Sequence, residues 1–135
     1  MNYNYEKERQ EAIYAGNRAL RSLRIAQKDL NSARGWGIYD MLGGGLISSL
    51  IKHSKMNDAQ SHMQQAKYDL DSFSRELSDV SAYIDLSFNV SDFLSFADFF
   101  FDGFLADWFM QDRINTARAQ VDDAIRRVEY ILQRL

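Results

Sequence analysis

The stretch MNDAQSHMQQAKYDLDSFSRELSDV, residues 56–80, decides the fold. Met56, Ala59, Met63, Ala66, Leu70, Phe73, Leu77 and Val80 follow one another at alternating spacings of three and four. A seam sustained in this way is the mark of long helices packed side by side. Leu70 and Phe73 stand in the middle of it and are predicted to be nearly fully buried. The alternation recurs on both sides. Upstream, Ala12, Gly16, Ala19, Leu23, Ala26, Leu30 and Ala33 form a seam of mostly small residues, widened by Ile13 and Leu20. Downstream, Ile114, Ala117, Val121, Ala124, Val128, Ile131 and Leu135 form a third. Small residues let a neighbouring backbone approach closely. Gly16 costs a helix interior about 1 kcal/mol relative to Ala, and close packing is the expected compensation.

These seams predict an all-α fold: a long antiparallel, coiled-coil-like helical hairpin extended to a three-helix bundle. The first helix is expected over about 5–33, with Gly35 in the left-handed position that ends a helix. A glycine-rich turn follows at 35–45, then a second helix at about 46–80. A Phe-rich acidic segment fills 81–107, and the last helix covers about 108–135. Within the segment, Ser91 is a good N-cap with Asp92 in the first turn. The resulting short Phe-rich helix stands before the last helix or runs continuously into it.

Composition agrees. The 135 residues suit one domain with a modest core. Proline is absent, so nothing breaks a helix, and cysteine is absent, which excludes disulfides, thiolate metal sites and cysteine nucleophiles. Met1 to Glu11 is polar and charged rather than signal-like, and a cytoplasmic location is expected. The net charge of −3 hides an asymmetry: residues 76–112 hold eight acids and no Lys or Arg. The basic residues are spread along helices and mixed with acids, which disfavours nucleic acid as a partner.

Two motifs stand out. The first is Trp36-Gly37-x-x-Asp40-x-x-Gly43-Gly44-Gly45-x-Ile47, followed by Lys52-His53 and Asp58-Ala59. The second is Phe96-Ala97-Asp98-x-x-Phe101-Asp102-Gly103-x-x-Ala106-Asp107-Trp108. Together they resemble an uncharacterised family of helical-bundle proteins found largely in Gram-positive bacteria, over roughly residues 15–135. The resemblance implies that turn and Phe-rich segment belong to one recurring unit, and it implies no activity.

Backbone N–H groups at a helix N-terminus, reached through glycines, can hold an anion. Here no P-loop or dinucleotide fingerprint accompanies the glycines, and no strand precedes them. The plainer reading is a tight interhelical turn whose glycines let Trp36 and Tyr39 fold onto the bundle. Asp98 and Asp102 are four apart on one helical face, where like charges repel. A divalent cation would offset that cost, with Asp40, Asp107, His53 or His62 as further ligands. The Glu-x-x-His pairs of di-metal bundles are missing, so these aspartates are read first as caps or hydrogen-bond acceptors. His53 and His62 are nine residues apart, about 180° around a helix, and cannot form a zinc pair. No serine sits in a nucleophile elbow. No cofactor and no catalytic group are expected.

Eight of the nine phenylalanines fall between Phe88 and Phe109, joined by Trp108. A helix apolar on every side must be buried by something. A membrane span is disfavoured by Asp98, Asp102 and Asp107, at about +2.5 to +3.5 kcal/mol each at mid-bilayer. Anionic lipid also repels a segment without a basic residue. Burial against protein is expected, with Phe96, Phe100, Phe101, Phe104 and Trp108 as the contact residues. In an up, down, up bundle the glycine turn and this segment lie at opposite ends, roughly 50 Å apart by helical rise. They meet if the segment doubles back along the bundle, or if two chains pair antiparallel as a homodimer. The function expected is a non-enzymatic interaction or scaffold module that self-associates or docks a protein partner. The alternative is a divalent-metal or phosphate-binding protein using the aspartates near the turn.

Overall fold

The computed structural model describes residues 2–41, 46–81, 92–97 and 113–135, with side-chain surroundings for 4–31, 58–59, 61–81, 92–97 and 117–135. Every described element is helical. Helix α1 spans Asn2–Met41 and α2 spans Leu46–Ser81. A short helix, α3, covers 92–97, and α4 spans Arg113–Arg134. Residues 92–97 are helical within the expected Phe-rich segment, and how that helix begins and whether it runs into α4 lie outside the described residues.

The seams are the core. Ala59, Met63, Ala66, Leu70, Phe73, Leu77 and Val80 of α2 have no exposed surface. The same holds for Ala12, Ala19, Leu23, Ala26 and Leu30 of α1, and for Ala117, Val121, Ala124 and Val128 of α4. Complete burial of one such leucine contributes about 1.5–3 kcal/mol. Gly16 shows why the α1 seam is built of small residues. A methyl group there would stand 2.6 Å from Leu132 Cδ2 and 2.9 Å from Phe73 Cε1. Only a glycine lets α2 and α4 close on α1 at this level.

Polar bonds across the helices fix their directions. Arg18 reaches Asp69 and Asp29 meets His62, so α2 runs antiparallel to α1. Gln27 Nε2 donates to Asp122 at 2.7 Å, Arg118 Nε to Asn31 at 2.8 Å, and Arg9 Nε to the Leu135 carbonyl at 2.5 Å. As numbers rise along α1 they fall along α4, so α4 is antiparallel to α1 and parallel to α2.

This overturns the up, down, up layout. Helix α2 ends beside the start of α1, whereas α4 begins beside the far end of α1. The end of α2 and the start of α4 therefore lie at opposite ends of α1. Helix α3 lies against α2 and α4. Phe93 is 3 % exposed and meets the Phe73 ring edge-on, centroids 5.7 Å apart. Phe96 lies further along, with the Arg127 guanidinium 4.3 Å above its ring. The described residues 92–97 thus lie against α2 and α4 of the same chain, and the rest of the expected Phe-rich segment, with residues 42–45 of the glycine turn, lies outside the described residues.

The first helix also differs from expectation. It does not stop at Ala33 but continues through Gly35 and Gly37 to Met41. A glycine costs a helix interior only about 1 kcal/mol, and a helix already this long, with no proline, absorbs it. The expected turn over 35–45 shrinks accordingly. No helix among the described residues is long and apolar enough to cross a membrane.

Candidate functional site

Of the expected contact residues, Phe96 is placed: half-buried on α3, against both Phe93 and Arg127. Phe100, Phe101, Phe104 and Trp108 lie outside the described residues, as do Asp98, Asp102, Asp107, Gly43, Gly44 and Gly45. Trp36, Gly37 and Asp40 fall within α1, and the side chains of Trp36 and Asp40 are likewise outside the described set. What is seen of the Phe-rich segment is its anchoring end. Phe93 and Ala97, one turn apart, enter the core from the side of α2 and α4. Leu94, Ser95 and Phe96 occupy the flanks, from half-buried to exposed.

His62 is half-buried and bonded through Nδ1 to Asp29, so it serves as a cross-link between α1 and α2. Its neighbour in that interface is a buried carboxylate that the sequence did not single out. Asp69 is 3 % exposed. It accepts hydrogen bonds from Arg18 Nη2 at 3.2 Å, from Gln65 Nε2 at 3.2 Å and from the Ser22 hydroxyl. A buried charge is tolerable when it is paired and hydrogen-bonded in this way. The signal was its place directly beside Leu70 on the flank of the seam.

The second unforeseen feature is an acidic end. The start of α1 brings Glu8 and Glu11 against Glu76 and Asp79 from the end of α2. Carboxylate oxygens of Glu8, Glu76 and Asp79 lie within 4.8 Å of one another. One oxygen of Glu8 and one of Glu76 are buried without a hydrogen-bond partner. Partial burial, then the charges of Glu11 and Asp79, hold the Glu8 carboxyl above its ordinary value, with Lys7 pulling the other way. Partial burial, then Glu11, Asp79 and Glu8, raise that of Glu76. Each acid is unremarkable in the sequence. The cluster appears only once the antiparallel register of α1 and α2 is known.

The outer face of α1 has the opposite character. Between Ala12 and Lys28 it carries Arg18, Arg21, Arg24 and Lys28 and no acid. Arg18 and Arg24 are paired within the chain, to Asp69 and Glu129. Beside them runs an open groove of about 540 Å³, lined by Asn17, Leu20, Arg21, Arg24, Ile25 and Lys28. Comparison of the chain with protein-family models, with curated proteins and with solved structures finds no match.

Proposed function

We propose that the chain is a non-enzymatic helical scaffold that docks a second copy of itself, or a protein partner, through its Phe-rich acidic segment. One observation supports this reading above the others. The described core is closed by its three seams together with Phe93 and Ala97 from the segment, with Phe96 packed against it. Six more phenylalanines and Trp108 lie within residues 88–109. That is more aromatic surface than the anchoring end uses, and a large apolar surface on a chain of this size is a surface for association. Phe96, Phe100, Phe101, Phe104 and Trp108 would make the contact. Asp98, Asp102 and Asp107 would set its orientation by accepting hydrogen bonds from donors on the other side. The cytoplasm is the compartment this reading assumes.

Light scattering over a concentration series tests it. The wild-type mass should exceed that of the monomer, and the variant Phe100→Ser/Phe104→Ser should return to the monomer while keeping its helical circular dichroism. A chain that stays monomeric at every concentration and captures no partner, with all its phenylalanines protected from solvent, would remove the basis for the reading.

A further inference from the structure

On the reading that the Phe-rich acidic segment makes the contact between copies, we propose that its residues 98–112 dock on the outer face of α1 of a second copy of the chain. Tyr14, Arg21 and Lys28 follow one another along α1 at intervals of seven, about two helical turns, and so project from one line of the helix. Arg21 and Lys28 are exposed, and neither has a partner among the described residues. Between them Ile25 is left 42 % exposed, and Tyr14 is 66 % exposed at the near end of the line. Ile25 and Leu20 line the groove of about 540 Å³ together with the two cations.

The stretch from Ala12 to Lys28 carries four cations and no acid. Arg18 and Arg24 are already held by Asp69 and Glu129, so Arg21 and Lys28 remain to be matched. A second α1 face cannot match them, because it brings only further cations. Residues 98–112 can. They carry Asp98, Asp102, Asp107 and Asp112 and no Lys or Arg, and among those acids stand five phenylalanines and Trp108. One stretch of chain thus brings carboxylates to the two cations and aromatic rings to Tyr14, Leu20 and Ile25. In its own chain the segment is tied at both ends away from this face. Residue 97 ends α3 on the side of α2 and α4, and residue 113 opens α4 beyond the level of Asn31, past the end of the groove at Lys28. The segment of a second copy is under neither tie. Each copy gives one segment and one face, so the contact forms twice about a two-fold axis. Apolar burial supplies most of the affinity, while the exposed charges place the segment and make the association weaken with salt.

Sedimentation equilibrium of the full chain at low and at high salt tests the proposal. Arg21→Glu/Lys28→Glu should weaken the dimer about tenfold or more at low salt, attractive exposed pairs becoming repulsive ones at two symmetric places. Its circular dichroism should be unchanged, because both side chains are exposed. Asp102→Lys/Asp107→Lys should weaken the dimer likewise. Mixing the two variants should restore a dimer of one copy of each, since every segment then meets a face of opposite charge. A mixture that stays dissociated, with both variants folded, overturns the proposal. Should the aspartate variant fail to fold, the α1 variant decides alone. A dimer that Arg21→Glu/Lys28→Glu leaves intact and Phe100→Ser/Phe104→Ser dissociates overturns the α1 surface and leaves docking through the Phe-rich segment standing. A wild-type monomer at every concentration and salt overturns both.

Discussion

At the scale of single residues, Gly16 decides how closely three helices can meet. Alanine there gains about 1 kcal/mol of helix propensity. It also forces a methyl group against Leu132 and Phe73. The tip of Leu132 can swing aside. The Phe73 ring cannot, being fully buried with Phe93 against its edge. Overpacking of this kind costs about 1–3 kcal/mol, so Gly16→Ala should lower stability on balance and Gly16→Val should lower it further. Urea unfolding measures both, and a stabilised Gly16→Ala would show that the ring yields. Leu70→Ala removes a side chain with no exposure and should cost about 2–5 kcal/mol in the same assay, a loss under about 0.5 kcal/mol being incompatible with the core described. Asp69→Ala should cost less than a sealed ion pair. The Arg18 side chain is 41 % exposed and can return to water, so about 1–3 kcal/mol is expected rather than the 3–5 of a charge stranded in the interior.

At the scale of elements, the acidic end makes α1 and α2 repel each other where they meet. Glu8 and Glu76 have carboxyls raised above the ordinary 4.5, so the folded chain binds more protons than the unfolded chain just above that pH. Stability therefore falls as pH rises through the raised values and is recovered as pH is lowered toward 4.5. Glu76→Gln should raise the melting temperature at pH 7 and should lose that advantage near pH 4.5, which thermal unfolding at the two values checks. The helices themselves were legible in the sequence because apolar spacing reports which side of a helix is buried. Ala59 through Val80 are buried as their spacing requires. The direction of α4 was not legible. Val121 and Val128 enter the core whichever way the helix points, and only bonds such as Gln27 to Asp122 distinguish the two. The end of α1 was misread at Gly35 because a glycine is permitted at a helix terminus but does not require one. The acidic end needed the register of two helices, which no single seam contains.

At the scale of the whole molecule, the all-α bundle takes Phe93 and Ala97 of α3 into its core beside the three long helices. Replacing Phe93 by Ala should loosen that contact. It removes the edge contact to Phe73 and a side chain only 3 % exposed, and a loss of about 3–5 kcal/mol is expected from chemical denaturation. Hydrogen exchange should show the loss concentrated in 92–97 and in the facing turns of α2 and α4, rather than in α1.

The direction of α4 has a further consequence, for the order in which the chain assembles. Helices α1 and α2 are joined through residues 42–45 and can zip together from that link. The bonds from α1 to α4 join residues 87 to 126 positions apart. Closing so long a loop costs entropy before any contact rewards it, so the hairpin should form in the folding transition state and α4 should dock after it. Stopped-flow measurements should then find that Leu70→Ala chiefly slows refolding, whereas Val128→Ala leaves refolding nearly unchanged and chiefly accelerates unfolding.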